Sequence, residues 1–288
     1  MQPKHGTLLR VSTFLMATTF ATIVLLFSWS NQAKAQQASQ TVYVSALYLK
    51  VNQGMYSKYQ QLLNDYTKKV NEQHVKAGRI MGWYVHDVLF PTGSSAAYDM
   101  VIVTVSTNLG LLIDDSVGYR NWLKQALNNP NDQTLDGILN SFTAARTIVK
   151  REIFSYIDGV NINSNPAKYV QVDYMRTTSG KASDYIKAEK DWFKPVHAEF
   201  VKQGKKLDWG LYSMEMPYSE TVGYDFITAN FFSSATQMSS GNYEETFKKL
   251  FPDKNMNNVW STMLGLRKII RSELWKLGLY VDATNTKK

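Results

Sequence analysis

The chain contains no cysteine. Disulfides and lipid attachment at a cysteine are therefore excluded, and the fold must rest on its core. Metal-binding patterns are equally scarce. There are four histidines, no His-Glu-x-x-His, no His-x-His and no acidic run with ligand spacing, so no metal cluster is expected. A serine nucleophile elbow, a phosphate-binding loop and a dinucleotide-binding glycine loop are all missing, which argues against phosphate-bearing cofactors. Lys and Arg outnumber Asp and Glu by 32 to 24, yet no five basic residues stand together. This describes a solvated surface rather than a nucleic-acid footprint, and no nucleic-acid partner is expected.

The first 35 residues read as a leader. Lys4 and Arg10 precede an apolar run from Val11 to Trp29, and Ala33-Lys34-Ala35 places small residues where a signal peptidase reads. Ser12, Thr13, Thr18, Thr19 and Thr22 interrupt the run, which favours cleavage after Ala35 over a retained anchor. The expected product is exported, periplasmic or secreted, without stable membrane insertion. Removing Lys4, Arg10 and Lys34 takes the formal charge from +8 to +5.

What remains is a duplication. AGRIMGWYVHDVLFPTGSSAAYDMVIVTV reappears 126 positions on as QGKKLDWGLYSMEMPYSETVGYDFITANF. Gly78 falls on Gly204, Trp83 on Trp209, Pro91 on Pro217, and Tyr98-Asp99 on Tyr224-Asp225. The register extends upstream through Tyr48 on Tyr174 and Tyr59 on Tyr185. Near the C-terminus Arg146, Ile148 and Glu152 meet Arg267, Ile269 and Glu273 at an offset of 121. Each copy is too long for a solenoid repeat. The expected organisation is a signal peptide at 1–35, a first repeat at 41–157, a linker at 158–168, a second repeat at 169–282 and a tail at 283–288.

Within the first copy, Thr41 to Val51 has the β-branched and aromatic pattern of a strand. Asn52 is a candidate helix N-cap. Tyr59, Leu62, Leu63, Tyr66, Val70 and His74 recur at helical spacing over Met55 to Ala77, and Gly78 supplies a helix C-terminus. Ile80 to Phe90 and Ala97 to Ser106 are paired strands. Asn108 to Thr147 reads as two helices broken near Pro130, and Ile148 to Ile157 as a fourth strand. The second copy repeats this order, with Pro195 expected to kink or divide its first helix. The order β-α-β-β-α-β is the ferredoxin-like unit. Its strands are apolar on both faces, so the face without helices needs a partner. An α+β fold follows: two ferredoxin-like repeats packed sheet-to-sheet as an intramolecular barrel with helices outside.

With that pattern around AGRIMGWYVHDVLFP and QGKKLDWGLYSMEMP, residues 41–282 resemble a tandem member of the dimeric α+β barrel superfamily. This includes NIPSNAP-like, antibiotic-biosynthesis-monooxygenase-like and chlorite-dismutase-like proteins. The resemblance implies a small apolar or aromatic ligand in a cleft or in the barrel, with or without turnover, and in some members haem. No motif selects one subfamily, so function must be argued from the site.

Residues common to both copies are explained by the fold; a single site should show where the copies differ. Tyr84, His86, Tyr212 and Met214 lie on matched strands with their side chains on one face and are the candidate ligand residues. His86 can serve as a general base, with Asp99 or Tyr212 as helper. His197, just after Pro195, is a candidate ligand residue and, with His86, a candidate axial ligand if haem is held; no cofactor is otherwise predicted. Three readings stay open: a binder of a small apolar or aromatic molecule, a cofactor-independent monooxygenase or isomerase, and a haem protein. The internal pairing permits a monomer or a homodimer.

Overall fold

A computed structural model describes residues 40–93, 96–113, 115–160 and 166–286. The expected leader, the centre of the expected linker and the last two residues lie outside the described residues. The compact unit begins at Thr41. None of the described helices is long and apolar enough to cross a membrane.

Eight strands form the scaffold: β1 (Tyr43–Val51), β2 (Gly82–Phe90), β3 (Met100–Ser106), β4 (Arg146–Gly159), β5 (Tyr169–Thr177), β6 (Asp208–Met216), β7 (Phe226–Phe232) and β8 (Arg267–Asp282). They close into a barrel in the order β1-β3-β2-β8-β5-β7-β6-β4. Each half contributes four consecutive strands. The two final strands cross over to the other half: β8 pairs with β2 and β4 with β6, both antiparallel. The sheets are thus stitched edge to edge as well as facing one another, and no edge is left open. Strands four places apart around the ring correspond, so a pseudo-twofold axis runs along the barrel.

Helices cover the outside. In the first half α1 has two α-helical parts, Tyr56–Leu62 and Lys68–Lys76, flanking a π-helical turn at Leu63–Thr67. Then come α2 (Leu109–Ile113), α3 (Asp115–Ala126) and α4 (Asp132–Ala145). In the second half α5 repeats α1, with Ala182–Ala188 and Lys194–Lys202 flanking a π turn at Glu189–Phe193. It is followed by α6 (Ala235–Met238), α7 (Tyr243–Leu250) and α8 (Met256–Leu266). Asn131, Asn242 and Asn255 cap α4, α7 and α8 by accepting from backbone amides. Gly78 and Gly204 end α1 and α5 at φ of +66° and +69°, where a side chain would be strained.

Two expectations are corrected. Asn52 does not cap α1; its side-chain amide donates to the Ala144 carbonyl at 2.7 Å and ties the start of α1 to the end of α4. The two π turns stand 126 residues apart, and the first has Lys69 where the second has Pro195. Pro195 therefore occupies a break that the fold makes anyway, where amide donors are already displaced.

Alternation along each strand divides the side chains between two environments. Outward residues such as Leu49, Trp83, Val85 and Met100 pack under α1 and α4, and Met175, Trp209, Leu211 and Phe226 under α5 and α8. Inward residues from both halves fill the barrel: Tyr48, Val101 and Phe154 meet Tyr174, Ile227 and Trp275. The hydroxyls of Tyr48 and Tyr174 touch across the axis at 3.2 Å.

A polar lattice surrounds that contact, and some of its bonds cross between the halves. Tyr98 donates to Glu273 and Tyr224 donates to Glu152. Lys150 pairs with Glu152, and Arg271 with Glu273, each at 2.8 Å. Trp275 and Tyr174 complete the second carboxylate through Oε2. At the matching place the first half has Phe154, which has no N–H to give, and Glu152 Oε2 is left without a partner among the described residues.

Candidate functional site

Each half encloses a cleft between the outer face of its sheet and its helices. The second-half cleft, about 290 Å³, has the denser chemistry. Its walls are Phe193, Phe200, Trp209, Phe232 and Trp260. The aromatic rings come from α5, β6, β7 and α8, so the same packing that holds α5 and α8 on the sheet shapes the cavity.

Across this apolar frame runs a chain of polar groups. Asp173 on β5 accepts from Asn230 on β7 at 3.1 Å. Asn230 accepts from the Lys206 ammonium at 2.7 Å. Lys206 also meets His197 Nδ1 at 2.7 Å, and His197 Nε2 meets the Tyr243 hydroxyl at 2.7 Å. The donor pattern assigns the histidine tautomer: Nδ1 accepts from Lys206, and the Nε2 hydrogen goes to the Tyr243 oxygen. The imidazole stacks on Trp209 with centroids 4.9 Å apart. Burial, then the neighbouring Lys206, hold its pKa well below the ordinary value.

Lys206 itself is lowered to about 7, because burial penalises its cation more than Asp173 and Asp208 support it. On the π turn, Glu189 is raised to about 7 by burial, with Arg267 opposing. Burial thus brings two groups of opposite type in one cleft toward neutrality, a combination that marks candidate functional sites. The π turn also sets the direction of Glu189, since an inserted residue rotates the following side chains relative to a regular helix.

The first half lacks this set. At the offset of 126, Leu47 stands for Asp173, Leu63 for Glu189, Asn71 for His197, Ile80 for Lys206 and Thr104 for Asn230. Part of the surrounding frame is shared: Trp83 with Trp209, Tyr59 with Tyr185, and Arg146 with Arg267, whereas Thr67, His74 and Ser106 stand where the second half has Phe193, Phe200 and Phe232. Buried charge costs stability unless it is paired, and the fold does not demand it, since the first half does without it.

The residues predicted from sequence separate. His197 lies in the second-half cleft. Tyr84, His86, Tyr212 and Met214 point into the barrel, the first two on β2 and the others on β6, across the ring. The His86 ring lies 5.7 Å from that of Trp275 and 6.4 Å from that of Tyr84. Its Nδ1 has no hydrogen-bond partner among the described residues, and burial holds its pKa down to about 4. The Tyr84 hydroxyl donates to Asp282 at 3.3 Å, and Tyr212 packs on Tyr156 at 5.6 Å. Asp99 is directed elsewhere: it accepts from the Val51 amide at 2.9 Å and pairs with Lys50 at 3.4 Å. Asp225 repeats that anchor on the Thr177 amide. Asp173, Glu189, Lys206, Asn230 and Tyr243 were missed from sequence.

Haem does not fit His197. Both ring nitrogens of His197 are engaged, and its flat face is covered by Trp209. His86 is buried on the inner side of β2, its ring beside those of Trp275 and Tyr84.

No protein-family model and no curated protein matches this chain by sequence. Solved structures do match in fold. A protein of Fusobacterium nucleatum named as a monooxygenase aligns with a TM-score of 0.51 at 7% identity, covering 84% of this chain and 95% of its own. A chlorite dismutase variant of Candidatus Nitrospira defluvii gives 0.47 at 11% identity, with 86% and 95% covered. A heme-binding protein of Thermus thermophilus gives 0.45 at 9%, with 82% and 91% covered. The chain has the dimeric α+β barrel fold, with both halves in one polypeptide.

Proposed function

We propose that this chain is an exported small-molecule-binding protein whose ligand lies in the second-half cleft. The observation that carries the reading is the one-sided replacement of Leu63 and Ile80 by Glu189 and Lys206, in a cleft walled by Phe193, Phe200, Trp209, Phe232 and Trp260. The ligand is a small, mainly apolar or aromatic molecule with a polar substituent. Its ring packs among Phe193, Trp209 and Trp260, and the substituent takes hydrogen bonds from Lys206 or gives one to Glu189. A volume near 300 Å³ is at the small end for ligand pockets, which suits one or two fused rings.

A second reading, a cofactor-independent enzyme of the monooxygenase or isomerase type, is favoured by the near-neutral titration of Glu189 and Lys206. Ionised Glu189 takes a proton from carbon beside a carbonyl, and the protonated Lys206 stabilises the resulting oxyanion. Export with cleavage after Ala35 is part of the proposal; the intact mass of the secreted protein tests it.

The binding test is tryptophan fluorescence on residues 36–288 titrated with 1-naphthol, with native mass spectrometry and an absorption spectrum of the purified protein. Saturable quenching that weakens about tenfold in Lys206→Met supports the cleft. Quenching unchanged in Lys206→Met and Glu189→Gln, but lost in His86→Phe, moves the site into the barrel. A Soret band on the protein as isolated restores the haem reading.

A further inference from the structure

The first-half cleft is larger, about 360 Å³, and its wall is made by Leu47, Tyr59, Leu63, Trp83, Ile102 and Phe142. Its only charged lining residues among those described are Arg146 and Arg151. The Nε of Arg146 is buried without an acceptor, as is that of its counterpart Arg267, and no described carboxylate forms an ion pair with Arg146 or Arg151. The two halves differ in the acids that stand near this place. Arg267, the counterpart of Arg146, faces Glu189, and Ser272, at the place of Arg151, donates to Asp173. In the first half both acids are leucines, Leu63 and Leu47. Two guanidinium groups, Arg146 partly buried and Arg151 exposed, thus border a largely apolar cleft with no carboxylate in its described lining.

We propose that this cleft is a second ligand site, separate from the one in the other half, and that it takes a small apolar molecule bearing one carboxylate. The carboxylate bonds to Arg146 and Arg151, where the planar guanidinium matches its two oxygens. The apolar part lies against Leu47, Leu63 and Phe142, and removal from water drives it in. A half-buried cation gains most from a ligand anion where no protein carboxylate competes for it.

The test is calorimetric titration of residues 36–288 with octanoate and, as the uncharged analogue, 1-octanol. Octanoate is expected to bind with one site per chain and about tenfold or more tighter than octanol. Arg146→Met should remove that preference, and Leu63→Glu, which restores the second half's acid beside the arginine, should abolish octanoate binding. Leu63 is buried, so circular dichroism and thermal melting accompany that variant; Arg146→Met carries the test if it fails to fold. The proposal is overturned by equal affinity for octanol, by no saturable binding of octanoate, or by loss of octanoate binding in Lys206→Met with Arg146→Met unaffected. The last outcome places the anion in the other cleft and leaves the binding proposal above intact.

Discussion

Glu189 offers the most direct quantitative test of the second-half cleft. Its ordinary value is 4.5 and its folded value about 7, raised by burial. The folded state therefore holds the proton more tightly than the unfolded chain. This contribution to stability is complete below about pH 4.5 and is lost as the pH rises through about 7. The displacement corresponds to about 3 kcal/mol between those limits. Gln keeps the shape and cannot ionise. Urea unfolding followed by tryptophan fluorescence, at intervals from about pH 4.5 to 8, gives the stability of wild type and Glu189→Gln at each point. Other titrating groups act on both proteins, so the difference between the curves isolates Glu189. The wild type should fall relative to the variant by about 3 kcal/mol across the window. The absolute offset is not diagnostic, because Arg267 loses a partner in the variant. Parallel curves would refute the buried, proton-holding carboxylate and with it the paired-proton reading of the cleft.

Further outcomes follow from the same structure. Lys206→Met should act in the opposite direction. The folded value of Lys206 lies below its unfolded one, so wild type loses stability as pH falls from 10.5 toward about 7 and the variant does not; urea midpoints in that range check this. Tyr174→Phe removes one of two partners of Glu273 Oε2 and the contact with Tyr48, which should lower stability by about 1–3 kcal/mol by urea unfolding. Asn131→Ala removes the cap that accepts from the Thr134 amide at 2.8 Å and should lower it by about 1 kcal/mol. Gly210→Ala puts a methyl group 2.8 Å from the Tyr212 ring and should cost about 1–3 kcal/mol, with a changed near-ultraviolet tyrosine signal.

Much of the fold was legible because two copies report on one structure. The shared positions of Trp83 and Trp209 and of Gly78 and Gly204 fixed the register, and the strands at Tyr43–Val51 and Tyr169–Thr177 carried the β-branched and aromatic residues on both faces expected of a sheet covered on both sides. The π turns were not legible. Tyr59, Leu62, Leu63, Tyr66, Val70 and His74 fit helical spacing well enough that one inserted residue leaves no visible break in the pattern. The region from Asn108 to Thr147, expected as helices broken near Pro130, is helical over Leu109–Ile113, Asp115–Ala126 and Asp132–Ala145, with Pro130 between the last two. The site was only partly visible for a different reason. Comparison of the copies was the right signal, but it was applied to histidines alone. The same offset sets Leu63 against Glu189 and Ile80 against Lys206, and an acid or a lysine standing where the other copy has a leucine or isoleucine is the stronger mark. His86 looked functional on residue type; which face of β2 borders a cavity and which a filled core depends on barrel closure, a property of no single strand.

The crossed bonds at the barrel axis bear on whether either half can exist by itself. Glu273 relies on Tyr98, and Glu152 on Tyr224, so a severed half would bury a carboxylate whose tyrosine donor is on the missing fragment, besides exposing the edges of β2 and β4 or of β6 and β8. Two fragments cut between Gly159 and Tyr169 should therefore be poorly folded apart and reconstitute the barrel when mixed. The polypeptide connection has become dispensable to the architecture, whereas the partnership it replaced has not.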